Sequence, residues 1–318
     1  MIALHLLLFA ALTATVGPRW LGEARWVYRS PRLGIAAWYA VVGGVVSAVV
    51  AATISLVVPQ RQNEAAVCAA WRWCVQAVRG DHGVAGRLAA AAVVLAALVL
   101  AGRFLLCAFR FRRAQGAERR QQLQLLRLAG REAPELGATV VQCAEPAAYM
   151  VAGHHRRVVV TTGAMAALNE EELSAVLAHE HAHAAGRHDV LLNGLRLLRT
   201  AFPRLSLFVV AWDHLSRLVE MRADEVAVTH HRPISLARAL VAMAGASSVP
   251  GTPTTAVPAT GGDAMARLKR LLDPPDRLTT GQSSAIGAAV LLVAAAPVLT
   301  AALGWLLPGA ERCLLFLL

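Results

Sequence analysis

Apolar positions along this chain fall into two kinds of run, long and unbroken or short and periodic. Four runs are long: Ile2–Val16, extending to about Trp20, then Ile35–Val58, Leu88–Ala108 and Ser284–Leu307. As a helix the second would reach about 36 Å, more than the roughly 30 Å of hydrocarbon in a bilayer. In the third, Arg103 sits close enough to one end to snorkel. The first has no basic flank of the kind a cleaved leader carries, so it is expected to stay as an anchor. Residues 2–20, 35–58, 88–108 and 284–307 are therefore the predicted spans, and 1–108 is a membrane region with three of them.

Between the third and fourth spans, residues 109–283, the periods shorten. Arg113–Leu128 reads as a helix with Leu123, Leu125 and Leu126 inward and Gly130 ending it. Thr139–Cys143, Ala147–Val151 and Arg157–Thr161 read as short strands, punctuated by Glu145-Pro146 and Gly153. The last strand is either an edge that can hydrogen-bond an extended peptide or a buried member of the sheet. Val190–Val219 is apolar, yet Ala201–Trp212 is too short to span. A helical hairpin is expected there, docked on the core or dipping into the membrane interface. Ala244–Asp263, rich in Gly, Pro, Ser and Thr, is a connector. Ala264–Leu272, with Arg267, Lys269 and Arg270, forms a basic amphipathic helix that lies on headgroups or covers the domain. The expected fold is a mostly α membrane protein: about four transmembrane helices, a cytoplasmic α+β domain with a small sheet, and a short outer tail at 308–318.

Composition agrees with a bilayer, since 57% of the 318 residues are hydrophobic. The net charge of +11 follows from topology. Arg19, Arg25, Arg29 and Arg32 cluster before the second span, and Arg110, Arg112, Arg113, Arg119 and Arg120 after the third. The positive-inside rule puts both on the cytoplasmic face and the N-terminus outside. The basic stretch from Arg110 to Arg131 has a single interleaved aromatic, Phe111, and no recognisable binding fold, so no direct nucleic-acid binding is expected. Cys68 and Cys74 share the predicted outer loop, as a disulfide or as two free thiols.

The chemistry is concentrated in His179-Glu180-His181-Ala182-His183, an H-E-x-x-H run, and in Glu220-Met221-Arg222-Ala223-Asp224. Asn169 can N-cap a helix here, with Glu172 closing a capping box and Glu170–Glu172 favouring the positive end of its dipole. One turn apart, His179 and His183 can converge on one Zn2+, with Glu220 as third ligand and a fourth position open to solvent. Glu180 is the general base, Asp224 orients a ligand histidine, and His181 points off the metal face. Asp189 is a rival ligand, since His179 to Asp189 also reads H-E-x-x-H-x-x-G-x-x-D. His230, His231 and Arg222 are candidates for stabilising an oxyanion. His5, His82, His188 and His214 have no partner pattern, and His154 and His155 read as loop residues. Neither an Asp-Gly dipeptide of the intramembrane zinc proteases nor a G-x-S-x-G nucleophile occurs.

With Glu170–Glu180, the strand leading into Gly163, and Glu220–Asp224, the chain resembles integral-membrane gluzincins. It is closest to the BlaR/MecR type of sensor-transducer peptidase, with HtpX-type proteases more distant. The resemblance implies a zinc metalloendopeptidase embedded in the cell membrane. Its implied substrate is a cytosolic winged-helix repressor of the BlaI/CopY type, or membrane proteins under quality control. A non-catalytic membrane receptor or scaffold is the remaining alternative. The antibiotic receptors carry an outer penicillin-binding domain after their last span; only about eleven residues follow Leu307 here, so no such sensor is expected. The substrate's cleavage site, the trigger and the oligomeric state are not encoded in any motif.

Overall fold

The computed structural model describes residues 2–57, 83–152, 156–243 and 261–306. Cys68, Cys74, His82, His154 and His155, nearly all of the connector at 244–263 and the tail at 308–318 lie outside them. Contacts divide the chain into two compact units. One holds 1–27, 36–106 and 278–318, the other 28–35 and 107–277.

The first unit is built from helices α1 (Ile2–Glu23), α3 (Pro31–Val57), the first part of α4 (Gly83–Ala129) and α11 (Thr280–Leu306). Among the described residues, three segments are long and apolar enough to cross a membrane: Ile2–Glu23, Pro31–Ser55 and Thr280–Leu303. The third predicted span, 88–108, is helical throughout, but it does not end where the apolar run ends. It continues as one 47-residue helix to Ala129, taking in the separate helix expected at Arg113–Leu128. Nothing between Arg110 and Leu128 breaks helix geometry: the stretch has no Pro, and strong helix formers such as Arg, Gln and Leu dominate it. Inside the unit, Leu6, Leu21, Trp38, Ala48 and Ala52 are buried. Gly44 lets α3 and α11 approach closely, since a Cβ there would sit 3.2 Å from the Val293 carbonyl oxygen. Small residues at such contacts replace the hydrophobic drive that lipid removes.

The second unit has a four-stranded sheet in the order β1-β2-β4-β3. Its strands are β1 (Gly130–Ala133), β2 (Ala138–Val141), β3 (Ala148–Val151) and β4 (Arg157–Thr161). β1 and β3 run antiparallel to their neighbours, while β2 and β4 are parallel. Val159 therefore lies opposite Thr139 on one side and Tyr149 on the other. The alternation of β4 sends Val158 and Val160 to one face and Val159 to the other. Val158 and Val160 pack with Leu173, Val176 and Leu177 of α6 (Glu170–Ala185) and Leu236 of α9 (Pro233–Met243). Val159 packs with Val151 and with Leu126 at the end of α4, while Leu125 is exposed. The remaining helices are α2 (Arg25–Arg29), α5 (Thr162–Ala167), α7 (His188–Ala201), α8 (Ser206–Ala227) and α10 (Gly261–Leu272).

Two open readings are resolved here. β4 is internal and β3 is the edge, because the chain leaves β2, forms the edge strand first, and then returns between them. The apolar hairpin at 190–219 is α7 and α8 docked on the core, with Leu192, Leu195, Leu207, Phe208, Leu215 and Leu218 buried.

Candidate metal centre

Local chemistry fixes the start of α6. Asn169 Oδ1 accepts from the Glu172 backbone N–H at 2.9 Å, and the Asn169 N–H donates to Glu172 Oε2 at 3.1 Å. Such a cap is worth about 1 kcal/mol. With the register set, Leu173, Val176 and Leu177 face the sheet, and His179 and His183 follow on a face turned toward α8. That long helix buries Leu215, Leu218, Val219 and Ala223, and the same buried stripe carries Glu220 and Asp224 one turn apart.

Two imidazoles and a carboxylate thereby meet. His179 Nε2 and His183 Nε2 are 3.1 Å apart, and Glu220 reaches both, Oε2 at 3.5 Å from the first and Oε1 at 3.4 Å from the second. Among the described residues these three are the group whose donor atoms converge tightly enough to hold a metal ion. Atoms bound 2.0–2.2 Å from one tetrahedral zinc lie about 3.3–3.5 Å from each other, so the spacing fits. The charge preference fits as well. Burial works against a charge on His179, yet the carboxylates of Asp224 and Glu220 outweigh it and raise its pKa to about 10. A site that draws positive charge to that point in this way is suited to a dication. His183, by contrast, is lowered to about 3, chiefly by burial, which leaves its ring neutral with a lone pair to offer. The side chains grade outward, 8% exposed at His179, 13% at His183 and 26% at Glu220, so one side of the cluster is open.

Around this core each of the three side chains is held from behind. Asp224 Oδ1 lies 2.9 Å from His179 Nδ1, a short contact bent away from hydrogen-bond linearity. His188, at the start of α7, places Nδ1 3.0 Å from His183 Nδ1 and is itself buried. Arg267 from α10 donates to both oxygens of Asp224 and sits 3.0 Å from Glu220 Oε2. Burial pushes the Asp224 carboxyl up, but the Arg267 and His179 contacts prevail and hold it below the usual range. Glu220 is likewise held low: burial opposes it, and the histidines and Arg267 overcome that.

Glu180 lies beside the cluster on the α6 turn. Burial raises its carboxyl to about 7, with the Glu220 charge adding to the rise; His179, Arg267 and a hydrogen bond from the Met150 backbone N–H pull against it. A carboxylate poised near neutrality beside the ligands suits proton transfer.

The other candidates go elsewhere. Asp189 is an ion-pair partner of Arg156 at 3.1 Å rather than a member of the convergent group. His181 is exposed, His230 is exposed at the end of α8, and Arg222 faces Glu225 at 3.4 Å. His214 lies 2.6 Å from the Tyr28 hydroxyl. Sequence reasoning missed His188 and Arg267. His188 carried no pattern, since its partner is reached by a turn. Arg267 did: it falls on the apolar side of α10, flanked by Ala264 and Leu271. A lone arginine there calls for a buried acid.

Peptidase family M48 has a family model that matches residues 113–201, which include β1–β4 and the whole of α6 but stop before Glu220. This match supports a metallopeptidase of that family. No curated protein and no solved structure matches the chain.

Proposed function

We propose that this chain is a membrane-embedded zinc-dependent endopeptidase. The reading is carried by one observation: His179 Nε2, His183 Nε2 and both Glu220 oxygens face one point, with the near-neutral Glu180 on the adjoining turn. His179, His183 and Glu220 would hold the ion. When bound, zinc supplies Lewis acidity to water and to the scissile carbonyl.

The protein's own groups do the rest. Glu180 accepts a proton from the attacking water and returns it to the leaving amine. Asp224 and Arg267 fix the His179 ring and the Glu220 carboxylate, so neither must reorganise during reaction. β3, the edge strand whose Met150 N–H meets Glu180, offers backbone groups to a peptide in extended form. The substrate in this reading is a cytosolic or membrane-associated protein. A winged-helix repressor of the BlaI/CopY type makes the enzyme a signal transducer, and misassembled membrane proteins make it a quality-control protease. The arginine bias supports a site on the cytoplasmic side of the cell membrane.

The test is metal content together with turnover. Purified full-length protein is expected to carry about one zinc per chain, and Glu180→Gln to keep that zinc while losing roughly 10²–10⁴-fold in cleavage. Metal-free protein that still cleaves would overturn the proposal. Comparing the proteomes of wild-type and Glu180→Gln cells would then identify the substrate.

A further inference from the structure

A second cavity, of about 580 Å³, lies in the same unit and away from the metal ligands. It is an open cleft lined by α4, the end of β3 and the beginning of α7. Its volume is in the range of small-ligand sites. Arg112 and Arg119 of α4 line it, with Arg156 and with Arg187 at the N-terminus of α7. Arg156 is neutralised by Asp189. Arg112, Arg119 and Arg187 form no ion pair with a described residue; Glu118 lines the cavity too, so four arginines face two carboxylates and the lining is net basic. Arg112, Arg119 and Arg187 are exposed, so water screens their repulsion, and the excess of positive charge on one cleft favours an anion there.

Three further features point inward. Gln122, on the cavity wall, is 8% exposed, and its side-chain amide has no hydrogen bond to any described residue. Asn193, also lining, has its side-chain oxygen buried and without a donor. Buried amides are nearly always satisfied, and such an amide can turn either its oxygen or its nitrogen to a ligand. Finally, α7 opens without a side-chain cap, on Arg187 in a left-handed conformation (φ 51°). An uncapped helix start presents N–H groups and a positive dipole end.

We propose that this cleft binds a phosphate-bearing anion. Arg119 and Arg187 would clamp its oxygens, Gln122 and Asn193 would satisfy its neighbouring polar groups, and α7 would contribute its N-terminus. Phe111, on the cavity wall, follows within one turn of the predicted end of the third span. An anionic phospholipid headgroup in the inner leaflet is therefore within reach as the source, and soluble phosphate is the other. His188, between Arg187 and Asp189 in sequence, lies 3.0 Å from His183.

The experiment is calorimetric titration of the full chain in neutral detergent with dihexanoyl phosphatidylglycerol, with dihexanoyl phosphatidylcholine and with inorganic phosphate. Saturable one-to-one binding is expected, weakened at least tenfold in Arg119→Gln/Arg187→Gln and unchanged in Arg110→Gln/Arg120→Gln, whose residues lie on α4 outside the cavity. Circular dichroism checks that each variant is folded, and Gln122→Leu, which keeps every charge, is expected to weaken binding as well. Phosphatidylglycerol binding without phosphate binding assigns the site to a headgroup; comparable binding of phosphate assigns it to a soluble anion. Equal losses in both arginine pairs would mean a diffuse surface field and overturn the proposal. So would non-saturable uptake, or equal binding of the zwitterionic lipid.

Discussion

The guanidinium of Arg267 grips the carboxylate of Asp224 through two parallel hydrogen bonds, Nε to Oδ2 at 2.8 Å and Nη2 to Oδ1 at 2.7 Å. Both side chains are almost wholly buried, at 8% and 4% exposure, so removing one leaves an unpaired charge in the interior. Breaking a buried pair in this way costs about 3–5 kcal/mol. Arg267→Ala is expected to lower the thermal unfolding midpoint markedly. Arg267→Lys keeps the charge but loses the fork, and is expected to fold with zinc bound roughly 10–100-fold more weakly, as measured by competition with a chromogenic chelator.

Glu220 and Asp189 compete on paper for the third ligand position, and the geometry separates them. Glu220→Ala is expected to strip the metal, read as loss of zinc through gel filtration. Asp189→Ala is expected to retain it, because Asp189 is occupied by Arg156. Retention of zinc by the first variant and its loss from the second would reverse the assignment.

Gly186 closes α6 in ordinary right-handed geometry, so its need is for space and not for an unusual φ. A Cβ there would collide with His188 Nε2 and Cδ2. Gly186→Ala is accordingly expected to displace the His188 ring from behind His183. The expected cost is about 1–3 kcal/mol of stability and a weaker hold on zinc, both measurable in one calorimetric series of metal-free and zinc-loaded protein.

Glu180 must be ionised to accept a proton. Burial raises its carboxyl to about 7, and a bound dication beside it would draw that value down. Cleavage efficiency should thus fall as pH drops through this region, with an acid limb at or below about pH 7 and a plateau above it. A kcat/KM profile that rises toward acid pH would contradict Glu180 as the base.

What sequence made legible follows from periodicity. His179 and His183, and Glu220 and Asp224, have one-turn spacings, so each pair's shared face could be read from 3.6 residues per turn, while joining the two stretches rested on the H-E-x-x-H and E-x-x-x-D patterns. The Asn169–Glu172 cap was equally local and is present as read. The order of the strands was not local: Val158–Val160 look the same in an edge strand as in a central one. Pairing of β2 with β4 depends on contacts that no short window contains. β1, Gly130–Ala133, has no apolar alternation and passed unnoticed. Arg267 and Arg270 were read with Lys269 as one basic surface. Of the two placements open for their helix, covering the domain is the one seen, with Arg267 turned into the site and Arg270 bonded to Glu225 at 2.6 Å, while Lys269 is exposed.

The ligand triad is complete by residue 220, yet its counter-charge arrives only with residue 267, on the far side of α9 and the connector. A single nick in that connector would leave every candidate ligand on one fragment and the arginine that steadies Glu220 and Asp224 on the other. Such a cut offers the cell, or an experimenter, a way to disarm the centre without touching any group that meets substrate. Adding back a peptide spanning α10 to a nicked enzyme would be the direct means of rearming it.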